Sequence, residues 1–478
     1  MNAQTLSDKL IQINQSSVLR FVPQLDEQCK NHFFAQLGEL DFDSLPELVS
    51  QYIVGKYTPP LPNHIQPIVP LPRTPQSVEH KALYARALAR GMQLLKEGKV
   101  GAFLVAGGQG TRLGYDGPKG EFPVTPIKNK PLFQVFAEQL LSHSRIAGKT
   151  IPWYIMTSEV NDAATRAFFA KHNHFGYDAS AIFIFQQGML PAFSMDGQLL
   201  LADKDSLALS PDGHGGSLRA LKRSGALDDM HKRGVEHLSY FQVDNPIVHC
   251  IDPLFIGLHD LTGSEMSSKT IAKAGPLEKV GNFCFTDGKL QVIEYSDLPN
   301  ELANQINPDG GLKYNAGSIA IHALRVSFVE RLNAGGQLKL PWHRAEKKVP
   351  HIDPAGNLVK PEKPNAIKLE QFVFDAIPLS ATPLVYTTER AEEFSPVKNA
   401  QGQDSLQTSQ RDQIRRFARW LTEAGIQVPS KDGEVDAVIE ISPLYAATPG
   451  QLKDRKPGIH KIDAGSKVYF GENGIEEA

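Results

Sequence analysis

The stretch Val100-Gly-Ala-Phe-Leu-Val-Ala106, running straight into Gly107-Gly-Gln-Gly-Thr-Arg-Leu-Gly-Tyr-Asp-Gly-Pro-Lys119, decides how the chain is read. A short unbroken apolar run closed by glycines is the pattern of a strand buried on both faces in the middle of a parallel sheet. Gly107, Gly108 and Gly110 let backbone N–H groups turn toward a ligand and permit its close approach. Thr111, Arg112 and Lys119 add a hydroxyl and two cations, a set suited to a polyphosphate. The plainer reading is a tight strand-to-loop turn with a solvated pair of cations. Two familiar phosphate loops do not fit. A P-loop needs G-x-x-x-x-G-K-[ST], and Gly148-Lys149-Thr150 supplies only the ending because His143 stands where the first glycine should be. A dinucleotide fingerprint needs G-x-G-x-x-G, but Gly114 falls one place late, and a helical pattern follows where a second strand ending in an acid is required.

Outward from this stretch, strands and helices alternate. Val78, Ala82, Ala85, Leu88, Met92 and Leu95 step by threes and fours, and Gly98 caps the helix they predict. Leu132 to Leu140 and Asp162 to Lys171 are helical in pattern, whereas Ile151–Thr157, Ala181–Phe185 and Tyr240–Val243 read as strands. The alternation predicts an α/β fold with a doubly wound, mostly parallel sheet. The first ~60 residues carry short helical patterns. A proline-rich stretch from Tyr57 through Pro75 follows, and its Ile65, Ile68, Val69 and Leu71 suggest that it lies against the body of the protein. After the polar break at Asn399–Ser409, Ile414 to Leu421 predicts a helix, and Val435–Ile441 and Lys467–Phe470 predict strands. The expected organisation is an N-terminal helical and extended segment (1–95), a catalytic domain (96–398) and a small C-terminal α+β domain (399–478).

The 478 residues are 41% hydrophobic and 22% charged, which excludes a disordered or collagen-like chain. Fifty Lys and Arg against 53 Asp and Glu leave a net charge of −3, with no global attraction to nucleic acid or to an anionic membrane. An anionic ligand must therefore meet a local cluster of cations. Cys29, Cys250 and Cys284 are few, odd in number and far apart, which argues against a disulfide framework or a cysteine zinc site. The start has neither a basic nor an apolar leader region, and no apolar run reaches the ~18 residues of a spanning helix. The expectation is a reduced, cytoplasmic protein.

Further motifs complete the pattern: Ile151-Pro-Trp-Tyr-Ile-Met-Thr-Ser158, Gln186-Gln-Gly-Met-Leu-Pro-Ala192, Pro211-Asp-Gly-His-Gly-Gly216, Val243-Asp-Asn245, Val292-Ile-Glu-Tyr-Ser296, Tyr314-Asn-Ala-Gly317 and Phe394-Ser-Pro-Val-Lys-Asn-Ala400. Together with A-G-G-x-G-T-R-L-G and its downstream Pro118-Lys119, they resemble the eukaryotic-type UDP-sugar pyrophosphorylases, most closely the UDP-N-acetylhexosamine pyrophosphorylases. The resemblance spans about residues 95–400, with a weaker echo at Glu440-Ile-Ser-Pro-Leu444. It implies a nucleotide-diphospho-sugar transferase core that makes UDP-sugar and pyrophosphate from UTP and a sugar 1-phosphate, N-acetylglucosamine 1-phosphate first among them. Positioning and charge stabilisation carry such a reaction.

The resemblance also implies roles. Val105, Ala106, Gly107 and Gly108 match the loop that holds the nucleotide, with Arg112 and Lys119 its cations. Gln187 matches the reader of the uracil edge, because an amide both donates and accepts. Gly213 matches the backbone that approaches the base. Asp244, after an apolar-rich strand, suits Mg²⁺, which favours one or two carboxylates with phosphate oxygens and water. Asn245 beside it reads as a structural turn residue. Glu294, Tyr295 and Asn315 match sugar-binding positions. Gly281, Phe372 and Phe374 match positions near the N-acetyl group, although alternation on a strand would equally make the two rings core. Lys398 matches a lysine on the sugar phosphate. The remaining histidines (His231, His237, His249, His322, His343, His351) lack metal-ligand spacing and read as surface or satisfied core groups, and Arg344–Lys348 reads as a solvated face.

One position departs from the pattern. The N-acetylhexosamine enzymes usually carry Asn where this chain has His214. His there resembles the UDP-glucose and broad-specificity UDP-sugar enzymes, which read G-H-G-D, yet Gly216 takes the place of their Asp. The alternatives are therefore a UTP–glucose-1-phosphate or broad-specificity pyrophosphorylase, and a non-catalytic UDP-sugar-binding protein on the same fold. Oligomeric state is left open.

Overall fold

A computed structural model describes residues 2–57, 61–62, 64–335 and 338–477. Thr58, Pro59 and Pro60 of the proline-rich stretch lie outside the described residues. The chain gathers into two compact units, each discontinuous in sequence.

The larger unit (62–186, 220–337 and 376–478) holds a ten-stranded sheet. Its strands are β1 (Ile65–Pro67), β2 (Val100–Val105), β3 (Trp153–Thr157), β4 (Ile182–Gln186), β5 (His237–Gln242), β6 (Met266–Ala272), β7 (Asn282–Thr286), β8 (Lys289–Ile293), β9 (Ala316–Arg325) and β10 (Leu384–Thr387). The order runs β1-β7-β9-β5-β2-β3-β4, with β6 pairing β9 and β10, and β8 pairing β7. β5, β2, β3 and β4 are mutually parallel, and the expected α/β core is present. β2 is central and its apolar run is buried, as an unbroken hydrophobic strand requires. Val105 stands opposite Gln242 in the parallel register, so the glycine loop after β2 and Asp244 after β5 emerge at one carboxyl edge.

The predicted helix forms over Val78–Glu97. Ser77 caps its start by accepting the His80 N–H, and Gly98 ends it at φ 75°. It packs on Pro253–Leu261 so closely that a Cβ at Gly91 would lie 1.8 Å from the Pro253 carbonyl oxygen, which only glycine tolerates. The proline-rich stretch packs on this unit from Ile65 onward. Ile65–Pro67 pairs with β7, and Leu71 bridges to Tyr386. Val69, however, points outward. The C-terminal residues form their own apolar cluster, in which Phe417, Trp420 and Leu421 of the helix Leu406–Glu423 pack on Ile439, Ile441 and Phe470.

The smaller unit joins residues 1–61 to 187–219 and 338–375. Leu6, Phe21, Phe33 and Leu37 from the N-terminal helices share a core with Phe193, Leu201, Ile367 and Leu369. Here one expectation is corrected. The strand Ala366–Glu370 stops before Phe372, and a 3₁₀ turn starts at Val373, so Phe372 and Phe374 are not an alternating strand pair. The basic run is strand for most of its length: His343–Lys347 pairs with Ala366–Glu370, leaving Lys347 and Lys348 exposed.

Candidate active site

In the larger unit the loop after β2 is held from behind by Asn161. Its side-chain amide donates to the carbonyls of Ala106 (3.0 Å) and Gly108 (3.3 Å), and its Oδ1 accepts the Ser158 N–H. The loop closes on itself as Gly110 N–H meets the Gly117 carbonyl and Lys119 N–H meets that of Gly108. A Cβ placed on Gly108 would meet nothing within 4 Å, so the loop faces open space there. Sequence reasoning missed Asn161; its one signal is the polar Ser158–Asp162 stretch between a buried strand and a helix.

Lys119 is 6% exposed. Burial pushes its ammonium below the ordinary lysine range; Asp244 works against this, while Arg112 and Lys398 add to it. Three other predicted residues, from distant parts of the chain, therefore lie near enough to Lys119 to act on its charge. Arg112 is exposed, and Asp244 and Lys398 are partly buried. Among the described residues, no hydrogen bond reaches the Asp244 carboxylate and no carboxylate lies within ion-pair distance of Lys119. The main chain fixes Lys398 to the same edge: Val397 N–H donates to the Asp244 carbonyl (2.7 Å) and Lys398 N–H to the Asp404 carbonyl (2.6 Å). Asp404, also missed because it lies in the polar break, feels burial first and then Lys398 and Asp244, with its pKa raised.

A second group forms where β7, β8 and β9 meet. The Glu294 carboxylate lies 3.5 Å from where a Gly281 Cβ would sit, and the Gly281 carbonyl accepts the Ser318 N–H. Asn315 takes the Lys273 N–H on its Oδ1 (2.7 Å), and its NH₂ makes no hydrogen bond among the described residues. Tyr295 is 46% exposed, the least enclosed of the predicted sugar residues.

Gln187, Gly213, His214, Phe372 and Phe374 lie in the smaller unit. Gly213 adopts φ 82°, and a Cβ there would sit 2.4 Å from the Gln371 carbonyl oxygen, so backbone alone fits. His214 stacks on Phe372 (centroids 5.2 Å apart) and leans on Phe374 (5.7 Å). Its Nδ1 accepts the Val373 N–H at 3.1 Å, which leaves the proton on Nε2 as a donor. Burial, then neighbouring His343, lowers its pKa to about 4, so the ring is neutral at pH 7. Gly216 has a steric cause. A Cβ there would fall 2.1 Å from the Asp212 carboxyl, which is engaged with Arg219 at 2.7 Å. The Asp of the G-H-G-D pattern has no room beside it. Gln187 is partly buried, and its amide makes no hydrogen bond among the described residues.

The other histidines divide. His231 pairs with Glu330 and His343 with Asp375, as satisfied groups should. His237 is buried, and its Nε2 faces the Asp260 carboxylate at 3.4 Å, a contact too poorly aligned for a hydrogen bond. His249, Asp252 and Glu393 come within 4.8 Å of one another, a grouping that spacing did not reveal. A metal ion does not suit it, because the Lys269 ammonium already touches Asp252 (2.6 Å) and Glu393 (2.7 Å). A cleft of about 890 Å³ opens beside these residues, lined also by His143, Tyr386 and Arg455 and by none of the predicted site residues.

A glycine loop, a buried lysine and a carboxylate at the carboxyl edge of a parallel sheet are the equipment of an α/β nucleotide-binding protein. Residues 61–417 match the family described as UTP–glucose-1-phosphate uridylyltransferase, and the chain belongs to that family, whose members are nucleotidyltransferases. It is 37% identical over 464 residues to the mouse (Mus musculus) UDP-N-acetylhexosamine pyrophosphorylase-like protein 1, covering 92% of both chains. It is 40% identical over 362 residues to the UDP-N-acetylglucosamine pyrophosphorylase of Saccharomyces cerevisiae, covering 74% of this chain and 75% of that one. Among solved structures, the Trypanosoma brucei uridine diphosphate N-acetylglucosamine pyrophosphorylase in complex with inhibitor aligns over 95% of both chains, with 25% identity and a TM-score of 0.79.

Proposed function

We propose that this chain transfers the uridylyl group of UTP to a sugar 1-phosphate, N-acetylglucosamine 1-phosphate before others, and releases pyrophosphate. The observation that carries the reading is the meeting of Lys119, Arg112, Asp244 and Lys398 in one electrostatic neighbourhood beside the glycine loop. In the proposed step a phosphate oxygen of the sugar 1-phosphate attacks the α-phosphorus in line, and the bond from that phosphorus to the bridging oxygen breaks, the electron pair leaving with pyrophosphate. Val105 to Gly108 cradle the triphosphate with backbone groups. Arg112 and Lys119 balance its charge, and Lys398 receives the incoming sugar phosphate. A buried ammonium without a carboxylate partner is worth more to a phosphate than a solvated one, because little water screens it.

The free carboxylate of Asp244 fits Mg²⁺, which takes one or two protein carboxylates and fills its remaining positions from phosphate and water. Bound there, the ion would neutralise phosphate charge. Gln187 and Gly213 serve the base; Gly281, Glu294, Tyr295, Asn315, His214, Phe372 and Phe374 serve the sugar. The Nε2–H of His214 supplies one donor of the kind an Asn amide supplies, which supports an N-acetylhexosamine pocket. The same histidine favours the second reading, a glucose or broad-specificity enzyme, because it lacks the acceptor an amide would add. The three cysteines are free thiols, which supports a reducing, cytoplasmic setting.

The test is pyrophosphate release with UTP, Mg²⁺ and the 1-phosphates of N-acetylglucosamine, N-acetylgalactosamine, glucose and galactose. Release with the N-acetyl sugars alone is expected. Release with glucose or galactose at comparable kcat/KM would transfer the conclusion to the second reading, and silence with all four from a folded protein that binds UTP would reject catalysis of this reaction.

A further inference from the structure

Asn245 follows Asp244 and is 5% exposed. Its side chain faces a strap, Glu393–Lys398, that lies 150 residues further along the chain. Its Nδ2 donates to the Glu393 carbonyl at 2.6 Å, and its Oδ1 accepts the Ser395 N–H at 3.2 Å. One amide thus closes both ends of a short turn, which a purely structural turn residue at the end of β5 would not need to do. The strap is then sewn to the strand end by the Val397 N–H on the Asp244 carbonyl. Lys398 follows at once, its ammonium 5.7 Å from the Phe394 ring centre within the same strap.

The far end of the strap is pinned as firmly. The Glu393 carboxylate takes Nζ of fully buried Lys269 on both oxygens (2.7 Å each) and the Thr388 hydroxyl at 2.6 Å. Lys269 also holds Asp252 at 2.6 Å. The Ser395 hydroxyl donates to Asp412, and Ser409 donates to the Ser395 carbonyl, tying the middle to the helix Leu406–Glu423. A buried ion pair of this kind adds little net stability, since well-packed apolar side chains do as well. Its directional bonds fix position.

Resting on the uridylyl-transfer reading, we propose that Asn245 is a positioning residue. By clamping Glu393 and Ser395 it sets where Lys398 stands relative to Asp244 and Lys119, with the Lys269–Glu393 pair as the anchor of the clamp. Asn245 does not touch the reacting atoms; it acts through Lys398. Misplacement of a charged group by about 1 Å is enough to cost on the order of 100-fold in rate.

A double-mutant cycle decides it: wild type, Asn245→Ala, Lys398→Ala and the double variant. Turnover is measured with UTP, Mg²⁺ and the best sugar 1-phosphate, melting is followed in parallel, and Asn245→Ser replaces the alanine variant if that one does not fold. The expected result is a kcat about 10- to 100-fold lower for Asn245→Ala, a KM for UTP within about twofold, and almost no further loss in the Lys398→Ala background. Equal fold-losses in both backgrounds, or a loss confined to the KM for UTP, would overturn the proposal. The same four proteins are titrated calorimetrically with UDP-N-acetylglucosamine. If wild type binds without turning over, the catalytic reading fails and the coupling in affinity still decides the clamp. If wild type neither binds nor turns over, both fall.

Discussion

His214 hands its Nδ1 to the Val373 N–H and keeps one donor free, so its tautomer is set by backbone rather than by a substrate. Lys119 is a different case, a buried ammonium that, among the described residues, feels two further cations, Arg112 and Lys398, and one opposing carboxylate, Asp244. Such a group is held at some cost in stability, because burying a charge without a close partner is unfavourable. This gives a prediction with opposite signs in two measurements. Lys119→Ala should lower kcat by at least ~100-fold, as removal of a charge-stabilising donor does. Its melting temperature should equal or exceed that of the wild type. A variant that melts well below wild type would mean that Lys119 is chiefly structural.

At the scale of elements, the segment that follows Lys119 is gripped by the C-terminal residues. Glu440 is buried, and its Oε2 accepts the N–H groups of Ile127 (2.7 Å) and Lys128 (2.8 Å). Gln413 donates to the Val124 carbonyl, and Lys130, Glu138 and Ser442 form a closed buried triad. The Glu440-Ile-Ser442 echo noted in the sequence therefore marks a strand whose carboxylate caps a loop some 310 residues earlier in the chain. Glu440→Ala leaves two N–H groups without an acceptor, which should lower unfolding free energy by about 1–3 kcal/mol. The same change should raise the KM for UTP, since the loop carrying Lys119 loses its support. Urea unfolding and steady-state kinetics on the one variant check both, and an unchanged urea midpoint would contradict the capping role.

Across the whole molecule, buried imidazoles set a pH dependence. His143, His214, His237 and His249 are each pushed down to about 4, burial being the leading cause in all of them, and burial likewise holds His259 well below the ordinary histidine range. An unfolded histidine titrates near ~6.5. Between ~6.5 and about 4 the unfolded chain binds protons that the folded chain refuses, so stability is full above that window and falls as pH falls through it. Glu393, which burial would raise but Lys269 and His249 hold at about 2, loses its contribution lower, from the ordinary glutamate range downward. Urea midpoints should accordingly drop steadily from pH 7 to pH 5. A flat profile there would mean that these rings become hydrated in solution.

Much of the fold and the loop was legible in order along the chain. An apolar run too continuous for a half-exposed strand, glycines directly after it and periodic helices between strands are local signals, and local signals survive in one dimension. The rest depended on contacts that sequence distance hides. Residues 1–61 complete a core with 187–219 and 338–375, which no contiguous reading exposes. Gly216 looks like an arbitrary departure until the Asp212 carboxyl is found where its side chain would go. Asn245 looks like a turn residue until the strap from 393 to 398 folds against it. By itself, the sequence determined the strand–loop–helix order and the chemical kind of ligand, because backbone pattern and residue type suffice for those. Only the tertiary structure decided which charges share a neighbourhood, which imidazole nitrogen keeps its proton and what holds Lys398 in place, because burial and hydrogen bonding depend on neighbours far away in the chain.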